Sequence, residues 1–297
     1  MSFAVSPWKL VVAAVIAVIA AVAALLSGIT SSSSASPSVR WAPVWTADFA
    51  GPANAPLHSP DWTFDTGQGV FGNGEVESDT DSPYNVHLDG HGGLDITVLW
   101  SGNAWTSARV QTTRQFNPPA GEELMVSASI WQPDPAGPLG YWPAFWLFSD
   151  GTWPEHGEID IMEDVNGLSE HSGTLHCGTP VMGPCHEDTG LGSGLQACAG
   201  CQAGFHTYTV IIDRRDQSDQ QIRWYLDGKE FYSVSESQVG AAVWDEAVDH
   251  GFFIILDVAL GGTYPDTACG CSAPDHTTTS GGTMVVRSVA VSDGTAG

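Results

Sequence analysis

Short runs of β-forming residues, each followed by turn-forming residues, recur along most of the chain. The runs alternate polar with apolar residues or are short and apolar, and Gly, Pro, Asn or Asp separate them, which is typical of an all-β sandwich or barrel. We predict strands at residues 94–99, 108–114, 124–130, 174–176, 207–212, 222–226, 252–258 and 284–291. No segment predicts a convincing amphipathic helix, and we find no internal repeat.

The turns and longer connections can also be placed. Asp227-Gly228 stands between two β-forming runs and predicts a tight hairpin. Residues 62–88, 132–141 and 177–204 read as long loops. The last of these is too long for a bare connection in a compact domain, and it carries four of the cysteines.

The N-terminal residues carry a targeting signal. Lys9 precedes an unbroken apolar run at residues 10–26, and a Ser-rich stretch follows. This is the layout of a secretory signal peptide, although the run also reaches the short limit of a membrane span. We predict a signal peptide or N-terminal membrane anchor at residues 1–30, a Ser-rich linker at 31–40 and a single domain at 41–297. Both alternatives place the domain outside the cytoplasm, secreted or at the cell surface.

The charge balance limits the partners. The formal net charge is −25, with only nine Lys and Arg residues. We predict no nucleic-acid partner and no acidic membrane surface as a partner, because binding to either depends on basic patches. We expect a monomer that meets a membrane only through the N-terminal anchor, if that segment is retained.

Six cysteines lie in the second half of the chain: Cys177, Cys185, Cys198, Cys201, Cys269 and Cys271. An even number in an exported protein predicts disulfides, for which 15 connectivities are open. We expect Cys269 and Cys271 to bond to distant partners, because the geometry between near neighbours is poor. The alternative is a metal site formed by Cys198 and Cys201 with His176 or His186. We predict disulfides and no metal.

The most informative stretch for chemistry is Gly157–Glu163, which contains three acids. In a strand Glu158 and Asp160 share one face, but strict alternation would turn Glu163 towards the apolar face. A charged carboxylate there is costly unless it is paired. One extra residue, a β-bulge at about Ile161–Met162, would return Glu163 to the face of the other two acids. The alternative is a solvated acidic edge strand.

Three acids on one face suit glycoside hydrolysis. Two carboxyl groups about 5–5.5 Å apart can act as nucleophile and proton donor, which gives retention of configuration. Asp160, between Glu158 and Glu163, would raise the pKa of a neighbouring acid. The aromatic residues at 141–146 and Trp153 lie close in sequence and could stack on sugar rings.

These motifs resemble the signature of glycoside hydrolase family 16. The resemblance is carried by residues 142–146, 153–154 and 157–163. The form of the acid motif, with an extra residue before Glu163, resembles that of the laminarinase-like branch, the endo-β-1,3-glucanases. Lichenases of the same family usually lack this residue. Further segments match in the family's order: Gly72–Glu75, Ser107–Arg109, Gly173–His176, Phe205–Tyr208, Trp224–Gly228 and Leu256–Gly262.

The resemblance implies an all-β, concanavalin-like β-jelly roll of two antiparallel sheets with a concave substrate cleft. It implies Glu158 as the nucleophile, Asp160 as its assistant and Glu163 as the general acid/base. The side chains that it implies for the sugar subsites are Asn73, Arg109, Trp142, Trp146 and His176. A role in the core is the alternative for the two tryptophans, ion pairing for Arg109, turn formation for Asn73 and a structural role for His176.

The chain departs from the family pattern at several positions. Glu77 and Asp79 stand where Gln and Tyr are often found, Asp257 replaces an Asn, and Tyr264 replaces a Trp. Many members bind calcium. Asp48 could supply the first ligand, but Arg287 stands near the second position, so we predict no calcium and no other cofactor. The cysteine-bearing insertion, residues 177–204, lies outside the common family pattern and could cover part of the cleft.

We therefore expect an exported, retaining endo-glycosidase that acts on β-1,3-glucan or mixed β-1,3/1,4-glucan. Three alternatives stay open. The same machinery could cut another polysaccharide, such as a galactan, or transfer the glycosyl group to a sugar. A non-catalytic glucan-binding protein could use the same fold, although such proteins lose one or more of the acids. A disulfide-stapled surface protein would explain the cysteines but not the acids.

Overall fold

The computed structural model describes residues 39–69, 72–180 and 183–297. The predicted signal peptide or anchor, residues 1–30, lies outside these residues, as does the predicted linker up to residue 38. Residues 39 and 40, placed in the linker by the sequence, instead begin the first strand and pair with Ala296 and Thr295 of the last one. Within the described residues, no helix is long and apolar enough to cross a membrane.

Strands are the main secondary structure of the described residues. In order they are β1 (Val39–Ala47), β2 (Trp62–Asp65), β3 (Gly67–Gln68), β4 (Ser78–Asp79), β5 (Val86–Leu88), β6 (Leu94–Thr97), β7 (Leu99–Ser101), β8 (Ala104–Ser107), β9 (Arg109–Thr112), β10 (Glu123–Trp131), β11 (Tyr141–Phe148), β12 (Glu158–Glu163), β13 (Glu170–His176), β14 (Leu191–Gly192), β15 (Gln196–Ala197), β16 (His206–Asp213), β17 (Gln221–Leu226), β18 (Lys229–Ser235), β19 (Phe253–Leu260) and β20 (Thr283–Ala296). Within residues 39–69, 72–180 and 183–297 there are also three short helices, α1 (Glu236–Val239), α2 (Ala241–Val248) and α3 (Thr263–Cys269).

Two large antiparallel sheets form a sandwich, which confirms the predicted all-β jelly roll. The first sheet has the order β18-β17-β16-β10-β20-β6-β5, with β1 also paired to β20. The second has the order β14-β13-β12-β11-β19-β9-β2, with β15 paired to β13. A smaller sheet, β3-β4-β8-β7, flanks them. The predicted acid-bearing stretch is therefore an internal strand, β12, and not the solvated edge strand that was its alternative.

The core lies between the inner faces of the two large sheets. Alternating residues of each strand point inward, as Leu124, Val126 and Ile130 do on β10 and Leu147 does on β11. Trp224 of β17 is fully buried, and its indole N–H donates a 2.7 Å hydrogen bond to the Asp160 carbonyl oxygen of β12. The first sheet thus buttresses the acid-bearing strand directly.

The predicted hairpin is confirmed, and two other predictions are wrong. Asp227 and Gly228 both have positive φ, 50° and 76°, as a two-residue hairpin turn requires. Residues 62–88, predicted as a long loop, contain β2, β3, β4 and β5. The sequence does not predict the two-turn helix α2, because eight residues are too few to show a helical apolar periodicity. Its residues Trp244, Ala247 and Val248 are buried.

Disulfide bonding is confirmed, but one expectation about the pairing is wrong. The bonds are Cys177–Cys185, Cys198–Cys201 and Cys269–Cys271. Cys269 ends α3, and Gly270 takes a left-handed conformation (φ 63°, ψ 31°) that brings the two flanking cysteines together, with their Cα atoms 5.2 Å apart. The alternative metal site at Cys198 and Cys201 is overturned, because these two cysteines bond to each other.

Candidate active site

The three acids of β12 share one face because the strand carries the predicted bulge. Asp160 pairs with Trp146 of β11, whereas Met162 pairs with Phe145, so Ile161 is the extra residue. The same irregularity interrupts the pairing with β13 between Asp160 and Glu163. Glu163 then stands opposite Ala144, two residues from Trp146 on the same face of β11.

Close packing around β12 fixes its position. Gly157 precedes the strand with φ 67°, and a side chain there would collide with the carbonyl oxygen of Ala247 in α2. On β13, a side chain at Gly173 would collide with the Trp224 ring. Ile159 and Ile161 are fully buried. Glycine in both places therefore lets neighbouring elements hold the acid-bearing strand tightly.

His176, at the end of β13, lies beside two of the acids. Its Nε2 atom is 3.4 Å from Asp160 Oδ2 and 3.8 Å from Glu158 Oε1. Its Nδ1 atom is 2.8 Å from Glu187 Oε2. The Trp153 ring packs against the imidazole, with 5.6 Å between the ring centroids.

Glu163 is held by an aromatic side chain. The Trp142 indole N–H donates a 2.9 Å hydrogen bond to Glu163 Oε1. Tyr264 meets the Trp142 ring edge-on, with centroids 5.6 Å apart, and its hydroxyl lies 3.2 Å from Ser172 Oγ. Trp142 therefore belongs to the acid-bearing face and not to the core.

A second aromatic group surrounds Trp146. The Trp146 indole N–H donates a 2.7 Å hydrogen bond to Asp257 Oδ1. The Arg109 guanidinium lies over the Trp146 ring, 4.4 Å from its centroid, and pairs with Asp65 at 3.1 Å. Arg109 is buried. The ion pairing that we considered as the alternative role of Arg109 is thus present, and Arg109 also lies against the Trp146 ring.

Asn73 occupies an exposed turn next to this face. Its side chain donates a 3.3 Å hydrogen bond to Glu75 Oε1, and its carbonyl oxygen accepts the Thr263 N–H at 2.9 Å. Glu75 forms an isolated bridge with Gly261. Asn73 therefore ties the 72–75 turn to the start of α3, close to Tyr264.

The environments of the two glutamates differ. Burial raises the pKa of Glu158 to about 8, and the nearby Asp160 adds to the rise; the charges of His176 and Arg109 oppose it. Burial and Asp160 also raise the pKa of Glu163 well above its usual value. At Glu163 the leading opposing contribution is the hydrogen bond from the neutral Trp142 indole. The expectation that Asp160 raises the pKa of its neighbours is confirmed in direction.

Three further buried or half-buried acids follow one another from Glu77 through Asp79 to Asp257, and the last two lie near Arg109. Burial raises the pKa of Glu77 and of Asp79 to about 8, with Asp79 contributing at Glu77 and Asp257 at Asp79. Burial also raises the pKa of Asp257 to about 6, against the opposing charge of Arg109. These are the positions where the chain departs from the family pattern. At these positions the chain therefore has protonatable acids close to Trp146 and Arg109.

A surface depression of about 250 Å³ continues this face past Trp146. It is lined by Asp65, Arg109, Gln111, Phe148, Ser149, Asp150, Gly151 and Phe253. Phe148 pairs with Glu158 across β11 and β12, so the depression adjoins the acid row.

The grouping of Glu158, Asp160 and His176 could be taken for a cation site, because their polar atoms lie within 4.8 Å of one another. His176, however, hydrogen-bonds Glu187 through Nδ1. Burial lowers the pKa of its ring, but hydrogen bonds with Asp160 and Glu187, together with the charges of Asp160 and Glu158, raise it well above the usual value. The cluster is a hydrogen-bonded network.

The structure brings all the predicted site residues together. It also adds residues that the sequence did not place at the site. Asp257 and Tyr264 stood out only as departures from a pattern, and Asp65 and Glu187 gave no signal. Their side chains reach the site from strands and loops distant in sequence, so no local pattern could have identified them.

Comparison with known proteins finds similarity to characterised glycoside hydrolases. A family model described as "XgeA-like, catalytic GH16 domain" matches residues 95–205. The solved endo-1,3-β-glucanase of Streptomyces sioyaensis is 43% identical, with a TM-score of 0.82, and the match covers 88% of this chain and 99% of that one.

Curated relatives include longer proteins. The clotting factor G alpha subunit of Tachypleus tridentatus is 28% identical over 76% of this chain, and the glucan endo-1,3-beta-glucosidase A1 of Niallia circulans is 26% identical over 74%. The match spans only 31% and 34% of the length of those two proteins.

Proposed function

Because the chain belongs to glycoside hydrolase family 16, we propose that it is an exported, retaining endo-glycosidase that hydrolyses β-1,3-glucan or mixed β-1,3/1,4-glucan. The observation that carries the proposal is the row of Glu158, Asp160 and Glu163 on one face of a bulged internal strand, beside Trp142 and Trp146. The likeness to an endo-1,3-β-glucanase over 88% of the chain supports the substrate class.

The reaction is a double displacement. The Glu158 carboxylate attacks the anomeric carbon while the Glu163 carboxylic acid gives its proton to the glycosidic oxygen, so the C–O bond breaks and a covalent glycosyl-enzyme forms. Glu163, now ionised, then takes a proton from water as that water attacks the anomeric carbon and releases Glu158. Two inversions give net retention.

The electrostatic environments support this division of roles. Glu158 faces the positive charges of His176 and Arg109, which favour its ionised form. Glu163 is buried and held chiefly by a neutral indole N–H, which suits a group that must be protonated when the sugar bond breaks. We propose that Asp160 assists by raising the pKa of Glu163 and by facing His176 at 3.4 Å.

The sugar subsites are proposed on the same face, from Asn73, Arg109, Trp142, Trp146 and His176. The Trp142 and Trp146 rings would stack on pyranose faces. The buried Arg109 guanidinium, stacked on Trp146, would fix the position of that ring. A single exported copy of the domain is sufficient for this chemistry, with the polysaccharide as the only partner that it needs.

The test is digestion of a polysaccharide panel by the purified chain, with sizing of the products. We expect rapid mid-chain cleavage of laminarin, slower cleavage of mixed-linkage glucan, and no cleavage of agar, xyloglucan or cellulose. NMR of the first products would show the β-anomer. Cleavage of agar or xyloglucan alone would overturn the substrate class. Binding of laminarin without any product would favour a glucan-binding protein, and products longer than the substrate would favour transglycosylation.

A further inference from the structure

Glu187 is a buried carboxylate from the cysteine-rich insertion. Its side chain is 0% exposed. Oε2 lies 2.8 Å from His176 Nδ1, and Oε1 accepts the Cys177 backbone N–H at 2.9 Å. Both oxygens are therefore occupied by one backbone donor and one imidazole nitrogen. A fully buried carboxylate needs such partners, because desolvation of an unpaired charge is very costly.

These contacts determine where the protons of His176 sit. Nδ1 faces an acceptor-only carboxylate, so it carries a hydrogen. Nε2 faces Asp160 Oδ2 at 3.4 Å and Glu158 Oε1 at 3.8 Å, both of them oxygen atoms of acids. Asp160 is the nearer of the two acids, and when it is ionised its oxygen would repel a bare Nε2 lone pair, whereas it would attract an N–H. The arrangement favours the imidazolium, with one proton directed at Glu187 and one at the acid row.

We propose that Glu187 is a positioning residue for the catalytic row: it fixes the orientation and charge of His176, and His176 in turn favours the ionised, nucleophilic form of Glu158 against the effects of burial and of Asp160. The proposal rests on the function proposed above. Glu187 lies outside the reacting atoms and acts only through the imidazole. The insertion that carries it thus contributes to catalysis, in addition to any part in covering the face.

The surroundings of His176 agree with this role. The acids that act on the imidazole are Glu158, Asp160 and Glu163 from β12 and Glu187 from the insertion. The pKa of His176 is raised well above its usual value despite burial. The Cys177–Cys185 disulfide joins the end of β13 to the segment just before Glu187. The Cys177 backbone N–H also donates to the Glu187 carboxylate, so both a covalent bond and a hydrogen bond restrain Glu187 near β13.

The direct test is the protonation state of His176 in the unaltered protein. Long-range ¹⁵N–¹H correlation spectra, with the His176 signals assigned from their absence in His176→Asn, report both ring nitrogens. We expect both to remain protonated at pH 8. Titration of His176 near the ordinary histidine value would overturn the proposal, whether or not the protein cleaves glucan.

The variant test uses Glu187→Gln, with Asp188→Asn as the matched control. Asp188 is the next residue in the same insertion and is exposed, so its variant removes the same charge without touching the imidazole. In Glu187→Gln we expect the pKa of His176 to fall by at least about one unit. Glu158 then loses a positive neighbour, so the acidic limb of the kcat/KM profile moves to higher pH by about 0.5–1 unit, which lowers kcat/KM on that limb by up to about 3–10-fold.

The outcomes separate this proposal from the proposed function. A shifted acidic limb in Glu187→Gln, with an unshifted limb in Asp188→Asn, supports positioning through His176. A uniform loss of activity without a change in the pH profile or in the His176 titration would mean that Glu187 only stabilises the fold, and would overturn the proposal. If neither the native protein nor any variant cleaves glucan, the proposed function fails, and the His176 spectra still decide the Glu187–His176 relationship.

Discussion

The Trp142 indole N–H donates a 2.9 Å hydrogen bond to Oε1 of Glu163, so a side chain of the proposed sugar platform also holds the proposed proton donor. This bond is the leading contribution that opposes the rise in the pKa of Glu163. A sugar stacked on Trp142 would therefore sit on a ring whose position is already fixed relative to the acid. Under the proposed function, sugar binding and proton transfer would thus be coupled through Trp142.

Trp142→Phe separates these two roles. The ring remains for stacking, but the N–H is lost, so the pKa of Glu163 rises further. Glu163 must be protonated to act as the acid; hence the basic limb of the kcat/KM profile should move to higher pH by about 0.5–1 unit. We expect kcat to fall about 3–10-fold and KM to change less than about threefold. A basic limb that stays in place would contradict the assignment of Glu163 as the acid.

The variants Glu158→Ala and Glu163→Ala should differ in their residual cleavage of aryl glycosides and in the configuration of the products that they form with azide. Without Glu158 we expect glucan cleavage to fall at least about 10⁴-fold, and an aryl laminaribioside to remain uncleaved. Added azide would then give the glycosyl azide of inverted configuration. Without Glu163 glucan cleavage should fall about 10²–10⁴-fold, while an aryl glycoside with a good leaving group still forms the glycosyl-enzyme. Azide should then give the β-azide; the reverse pattern would exchange the two roles.

The Cys177–Cys185 disulfide should matter more than Cys269–Cys271. Its loop spans eight residues in sequence separation, against two for the other bond. Cys177→Ser with Cys185→Ser should lower the free energy of unfolding by about 2 kcal/mol, whereas the matched pair Cys269→Ser with Cys271→Ser should cost well under that amount. Urea unfolding of the two variants measures the difference. Equal losses would show that loop closure does not set the stabilisation.

Glu77→Gln should stabilise the protein at alkaline pH. Burial raises the pKa of Glu77 from 4.5 to about 8, so the folded state binds the proton more tightly than the unfolded state. The native protein therefore loses stability as pH rises from about 4.5 towards 8, while glutamine stays neutral and still accepts the Leu260 N–H that Glu77 Oε2 accepts at 2.9 Å.

The expected gain is about 4 kcal/mol at pH 8, or about 8–16 °C in Tm, and near zero at pH 4. Differential scanning calorimetry at both pH values measures it, with the exposed Glu155→Gln as the control. Equal Tm values for Glu77→Gln and the native protein at pH 8 would mean that Glu77 is ionised there at no cost.

The strands and the acid row could be predicted from local patterns. Alternation of polar and apolar residues reports which face of a strand is buried, and this is enough to place β10, β16 and β17 within a residue or two. The parity conflict at Glu163 identified the bulge, because an ionised side chain cannot share the face of Ile159 and Ile161. These inferences need only neighbours along the chain.

The rest of the site depends on contacts between segments far apart in sequence. Asp257 meets Trp146 across 111 positions, and Trp224 reaches Asp160 across 64. The cysteine pairing and helix α2 were likewise decided by the folded chain, the first by a left-handed glycine between two cysteines and the second by burial of Trp244.

The sequence by itself determined the fold class and the row of acids on one face, because both follow from the two-residue period of a strand. Only the tertiary structure decided which partners set the charge of each acid. Trp142 contacts Glu163, and Glu187 contacts His176. Such partners are needed because an unpaired charge in a buried position is too costly to persist.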